Sequence, residues 1–280
     1  MIDFAEISEK MDRRYSLVSK SGVEIVVSDA LRAESGICHG FTTRIGGVSP
    51  SPFDTLNFSL SRADNPENVI RNLKLLSASY GLDFNKLAFV NHEHGTKVIR
   101  IDSSHCGCGI TREKLPFCDG LVTNDPNVTL LTCHADCGAI FVYDRKRKAI
   151  GLAHSGWRGT LNRIGSALVE KMHDEFGSEP QSLIAALGPC ICKKCFEVDA
   201  ELGERFRSEF DYPGIMRPGR TGKAYVDIEA ALAIQLAEAG ILKHNISSMD
   251  LCTFENRDLF FSYRRDGIGT GAMVSFLTLK

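Results

Sequence analysis

Apolar residues along this chain gather in short runs bounded by glycine, proline and small polar residues, and several runs end beside a residue able to do chemistry. Runs of this length, rich in Val, Ile and Phe, predict strands. They fall at residues 23–28, 37–44, 87–91, 97–101, 120–123, 128–132, 139–143, 148–153, 182–187, 250–254, 260–264 and 273–279. Helical spacing is rarer. Asn65-Pro66-Glu67 combines a capping side chain, a proline in the first turn and an acid at the positive end of the dipole. Val69, Ile70, Leu73 and Leu76 continue it as one buried stripe until Gly81. Thr160 is placed to cap a second helix carrying Leu161, Ile164, Leu168 and Met172, which stops at Gly177. Residues 198–210 and 227–240 are predicted helices as well, the latter with Asp227 as cap and Gly240 as stop. Two glycines and two prolines make residues 45–52 a loop, and residues 1–20 are polar and weakly periodic, a frayed start.

No Pro/Gly/Ser-rich or charged linker divides the 280 residues, so one domain, 1–280, is expected. With 43% hydrophobic and 24% charged residues the composition is that of a globular protein with a sizeable core. A formal net charge of −2 gives no electrostatic case for nucleic acid or an anionic membrane. No run approaches the roughly 20 apolar residues of a spanning helix. The first residues lack the basic-then-apolar layout of a signal peptide, and the expected address is the cytoplasm. In that reducing compartment the ten cysteines are expected to be buried, metal-bound or reactive rather than paired.

The run endings carry the candidate chemistry. His92 and His94 stand two apart in a segment expected to be extended, which puts them on one face. Cys137 follows a second run and His154 ends a third. His94, Cys137 and His154 offer two nitrogens and one sulfur, a set that suits zinc and tolerates copper. They lie 43 and 17 residues apart, unlike the short-spaced pairs of a closed structural site, which points to a centre assembled by the fold with a fourth position left for water or substrate. The competing arrangement is a Cys137 nucleophile with His154 as base. It leaves His94 without a part. Two thiol-rich loops, Cys106 and Cys108 with Cys118 nearby, and Cys190, Cys192 and Cys195, are further possible metal loops or simply spare thiols. Arg44 stands at the mouth of the Gly46-Gly47 loop, where adjacent glycines let backbone N–H groups approach an anion. Residues 218–224 lack the glycine and Ser/Thr placement of a phosphate loop, and residues 267–271 lie between predicted strands rather than opening a dinucleotide-binding helix.

Taken together, Phe41, Thr43-Arg44, Gly46-Gly47-Val48-Ser49, Leu56-Asn57, His94-Gly95, Ala135-Asp136-Cys137, residues 153–159, Gly188-Pro189-Cys190-Ile191, Asp227, Cys252-Thr253, residues 261–266 and Thr270-Gly271 resemble, in order, the signature of the polyphenol oxidase or laccase-domain family over residues 37–275. Members of that family are described as purine nucleoside phosphorylases and some bacterial ones as peptidoglycan-editing factors. The resemblance implies an α/β (α+β) domain of mixed sheets flanked by helices, with zinc at His94, Cys137 and His154. It implies phosphorolysis of adenosine, inosine and methylthioadenosine, with adenosine deamination beside it. Nucleoside and phosphate are the partners this implies. Copper-dependent phenol oxidation is the older assignment, which eight histidines are too few to support with several coppers. For phosphorolysis, Arg44 and Arg264 become the candidate phosphate ligands, Asp136 a catalytic or orienting acid, and Asn57 and His92 substrate contacts. The family usually has Gln at the position of His92, which makes this histidine either a further ligand or a substrate contact, and Arg is common where Ala272 stands.

Overall fold

The computed structural model describes residues 4–280. Two six-stranded sheets form its centre. The first runs in the order β1 (Tyr15–Lys20), β2 (Val23–Ser28), β3 (Ile37–Thr42), β15 (Met273–Leu279), β7 (Thr129–His134) and β4 (Leu87–Phe89). The second runs β14 (Ile246–Ser248), β10 (Leu183–Leu187), β8 (Gly138–Asp144), β9 (Ala149–Ser155), β6 (Gly120–Thr123) and β5 (Val98–Arg100). Both mix parallel and antiparallel pairs. A small third sheet joins β11 (Glu197–Asp199), β13 (Lys223–Val226) and β12 (Met216–Pro218).

The apolar runs are continuous rather than alternating because the central strands are buried on both faces. In β8, Ile140 and Val142 pack toward the core shared with α5 (Ile164–Phe176) and α7 (Ile228–Glu238), while Ala139, Phe141 and Tyr143 face the core between the sheets. The same period of two divides β15: Met273, Leu277 and Leu279 enter the inter-sheet core, and Val274 and Phe276 join Leu73 and Leu76 of α3 (Pro66–Tyr80) on the far side. The layers are therefore helix, sheet, sheet, helix. Asn65 caps α3 through the Glu67 N–H, and Gly81 closes it in a left-handed conformation, φ 70°.

Several expectations are corrected. The segment 1–20 is not a frayed start where it is described: α1 (Phe4–Lys10) buries Phe4 and Ile7, and β1 is an exposed edge strand whose polar face hid its period. Thr160 does not cap a long helix. A five-residue turn, α4 (Trp157–Leu161), starts at Gly156, breaks at Asn162-Arg163, and Thr160 instead binds Ser155 Oγ at 2.8 Å and donates to the Gly156 carbonyl. Residues 250–254 and 260–264 are not strands; Cys252, Phe260 and Phe261 are buried in a loop that ends in the short helix at Tyr263–Asp266. The N–H groups of Gly46 and Gly47 are not free for an anion, since both donate to Thr55 Oγ1, at 3.2 and 3.0 Å. A side chain at Gly47 would place its Cβ 2.1 Å from the Thr55 carbonyl oxygen, so close approach of backbone is what this glycine provides.

One buried polar contact in the first sheet has a pH consequence. His39 on β3 is 5% exposed and accepts the Ser28 N–H on Nε2 at 3.0 Å, which requires a neutral ring. Burial holds its pKa down, from 6.5 to about 4. Between these values the unfolded chain carries the proton and the folded one does not, so the fold is at full stability above pH 6.5 and loses stability as pH falls. The loss amounts to about 3 kcal/mol by pH 4. Denaturant unfolding of wild type and His39→Gln at pH 7 and pH 4.5 is expected to show a shallower pH dependence in the variant, and equal slopes would remove His39 from the account.

Candidate metal centre

Two strand connections and the end of a third strand bring the candidate ligands together. His94 lies in the link from β4 to β5, which crosses from the first sheet to the second rather than turning back as a hairpin. Cys137 sits in the tight connection from β7 to β8, a crossing of the same kind, and His154 lies near the end of β9. Their ligand atoms all lie within 4.8 Å of one another. A tetrahedral zinc with bonds of about 2.0–2.3 Å needs neighbouring donors about 3.5 Å apart, so small side-chain adjustments close the set around one ion. His154 is buried, Cys137 half-buried and His94 exposed, which leaves one side open to a small molecule.

The loop carrying His94 is held by a residue that sequence patterning did not single out. Asp119, fully buried, accepts the N–H groups of Glu93, His94 and Gly95 at 3.1, 3.1 and 2.7 Å. The same carboxylate takes the Nδ1–H of His154 at 2.9 Å. One side chain therefore sets the backbone of one ligand and the ring orientation of another, and it leaves the Nε2 of His154 directed at the centre. His94 has a φ of 60°, so the extended-segment argument for His92 and His94 fails; both rings nonetheless reach His154, at 4.2 Å for His92 and 4.9 Å for His94. Behind them, buried His134 donates Nδ1–H to the Cys137 carbonyl at 3.2 Å and meets Thr132 Oγ1 at 2.7 Å, so both of its nitrogens are spent on structure.

The electrostatics suit a cation. Burial pushes the Cys137 thiol up, but the charge on His154 and hydrogen bonds with His154 and His94 outweigh it and hold the thiol down. His154 moves the opposite way: burial lowers it, while the Cys137 sulfur and the Asp119 carboxylate raise it. The two shifts favour negative charge on the sulfur and positive charge beside it, the polarity that a bound cation would draw on. Gly156, the next residue but one after His154, leaves room for this: a Cβ there would stand 2.6 Å from His94 Nδ1 and 3.4 Å from Cys137 Sγ.

The other candidate residues are placed differently. His92 falls outside the three-ligand cluster, yet its Nε2 is buried with no hydrogen-bond partner among the described residues, and burial together with the neighbouring histidines keeps its ring neutral. It lines a cavity of about 300 Å³ with Phe58, Asn91, Lys114 and Phe117. Asp136, in a left-handed turn at φ 89°, accepts Thr253 Oγ1 at 2.6 Å, Ser262 Oγ at 2.9 Å and the Arg264 N–H at 2.7 Å, which anchors two loops beside Cys137. The Arg44 guanidinium donates to the Asp54 carbonyl and carboxylate, both at 2.8 Å, and stacks over Phe261. Arg264 is exposed and donates to the Glu197 carbonyl, whereas its neighbour Arg265 is locked onto the carbonyls of Thr253, Phe254 and Phe260. Asn57 is 0% exposed and its amide is filled by Asp64, Ser59 and Ala272, contacts that tie the fold together. Cys106, Cys108 and Cys118 do not assemble with other ligands, among the described residues.

Fold and site define a class. The chain belongs to the family described as multi-copper polyphenol oxidoreductase laccase, whose sequence profile matches residues 38–280. Among its relatives, the purine nucleoside phosphorylase YlmD of Bacillus subtilis is 34% identical over 246 residues, 86% of this chain and 88% of that protein. A purine nucleoside phosphorylase of Bacteroides thetaiotaomicron is 33% identical over 251 residues, 88% of this chain and 93% of the other. The crystal structure of YlmD from Geobacillus stearothermophilus superimposes with a TM-score of 0.89 at 28% identity, covering 95% of this chain and 100% of that one. This is the mixed α/β architecture that the sequence resemblance implies. No helix among the described residues is long and apolar enough to cross a membrane.

Proposed function

We propose that this protein is a zinc-dependent purine nucleoside phosphorylase of the cytoplasm, acting on adenosine, inosine and S-methyl-5'-thioadenosine, with adenosine deamination as a second activity at the same centre. The observation that carries the reading is the His94, Cys137 and His154 cluster, open on the His94 side, in a chain whose relatives bear the phosphorylase name. The donor set, two imidazoles and a thiol held low by its surroundings, fits zinc and accepts copper. When bound, such an ion supplies Lewis acidity toward an oxygen or a water placed beside it.

The remaining work falls to the chain's own residues. His92, neutral and unpartnered, offers a nitrogen to a substrate hydroxyl or purine edge. Arg44 and Arg264 supply the charge for phosphate, a guanidinium matching two phosphate oxygens at once. Asp136, with both oxygens occupied, acts as a positioning residue that fixes the Arg264 backbone relative to Cys137. Purine release from inosine is expected to require phosphate and yield ribose 1-phosphate, and Arg44→Ala is expected to raise the KM for phosphate about tenfold, the value of one lost charge-assisted contact of roughly 1.5 kcal/mol. Base release that ignores phosphate in the wild type would reject phosphorolysis, and unchanged phosphate kinetics in the variant would reject Arg44.

A further inference from the structure

A second group of metal-binding side chains lies outside this centre. Cys192 and Cys195 stand in the loop after β10, and Cys252 and Glu255 in the loop after β14, each pair with two residues between its members. Their four ligand atoms lie within 4.8 Å of one another. Two ligand pairs at this spacing, on two adjoining turns, are the layout of a closed structural zinc site, in contrast to the widely spaced ligands of the first centre.

The backbone already holds the two turns in register. The Cys190 N–H donates to the Leu251 carbonyl at 3.2 Å and the Thr253 N–H to the Cys190 carbonyl at 3.1 Å. Each turn then folds back on its first cysteine: the Cys195 and Phe196 N–H groups meet the Cys192 carbonyl at 2.9 Å, and the Asn256 N–H meets the Cys252 carbonyl at 3.1 Å. The Cys192 N–H points at Cys252 Sγ, 3.3 Å away, a contact that favours sulfur as thiolate. One disulfide would use two of the three thiols and leave the third, with the Glu255 carboxylate, beside it for no purpose. Three thiolates and one carboxylate around a doubly charged ion leave excess negative charge; Lys193 and Lys194 line the cavity beside this group, Lys193 paired with Asp227 at 3.4 Å. Cys192, Cys252 and Glu255 line a cavity of about 740 Å³ that provides an entry path.

We propose that Cys192, Cys195, Cys252 and Glu255 bind a second, structural zinc ion that clamps the loop after β10 to the loop after β14. The clamp reaches the first centre, because Thr253 Oγ1 and the Ile191 N–H both bind Asp136, the neighbour of Cys137. The inference concerns metal binding alone and stands whatever reaction the first centre performs.

Full-length protein purified under reducing conditions is expected to hold two zinc ions per chain by elemental analysis. The double variant His94→Ala/Cys137→Ala should keep one, and replacing that one with Co2+ should give the intense near-ultraviolet charge-transfer absorption of several thiolates. Cys195→Ser should lose one equivalent, while Cys106→Ser, in an unrelated loop, keeps both. Should Cys195→Ser fail to fold, alkylation of the native wild type followed by mass spectrometry reads the same site: Zn2+ is expected to protect Cys192, Cys195 and Cys252 together. A single zinc per wild-type chain with none in the double variant, a disulfide among these three cysteines in the reduced preparation, or alkylation indifferent to Zn2+ would overturn the proposal.

Discussion

Replacing Cys137 with alanine is expected to abolish zinc binding at the candidate centre and to lower phosphate-dependent purine release by more than about 100-fold. Loss of a partner that merely orients a ligand costs 10- to 100-fold in metal affinity, and loss of the one anionic ligand costs more. The thiolate also balances charge: without it, two neutral imidazoles must hold a dication with no anionic ligand. A cysteine nucleophile would be disabled by the same substitution, so His94→Ala separates the two accounts. His94 is a ligand in the metal account, whereas in the nucleophile account it only helps to hold the Cys137 thiol down and zinc affinity is irrelevant. Zinc titration and base-release kinetics on both variants decide: parallel losses support the centre, and a His94→Ala protein with wild-type turnover supports the nucleophile.

Asp119→Asn is expected to have the second largest effect, although the residue touches neither ion nor substrate. Three backbone N–H groups and the His154 ring donate to this carboxylate, and an amide turns a pair of donors toward some of them. Zinc affinity should fall 10- to 100-fold and the fold should lose about 3 kcal/mol, the value of one or two hydrogen bonds to a buried charge. Raising the zinc concentration should restore turnover in the variant, a rescue that distinguishes a positioning residue from one that reacts. Turnover that stays low at saturating zinc would give Asp119 a direct part in the chemistry instead.

Much of the centre was legible in the chain because strand ends are where a buried run must yield to polar chemistry, and His94, Cys137 and His154 all stand at such points. The strands themselves were legible where both faces are buried, as in β8 and β9, since length and flanking turns define them without alternation. Pairing was not. Nothing local says that β4 joins the first sheet and β5 the second, yet that crossing is what brings His94 to His154. Asp119 gave no signal because its partners, residues 93–95 and 154, are its neighbours only in space. The stretch 250–264 misled because Phe260 and Phe261 are as buried in a loop as they would be in a strand, and a short apolar run does not record which. Asn57 shows how little a signature says of surroundings: its amide is bound to Asp64 and Ala272, partners that lie far from it or unmarked in the chain.

One metal ion held by His94 and Cys137 from two strand connections and by His154 near the end of β9 is proposed as the requirement for turnover. Chelator-treated wild-type protein, measured for phosphate-dependent hypoxanthine release from inosine before and after Zn2+ is restored, tests it most directly. Release is expected at background in the metal-free protein, with recovery on adding Zn2+ to the wild type and no recovery in Cys137→Ala. Full release by protein shown by elemental analysis to be free of metal would contradict it.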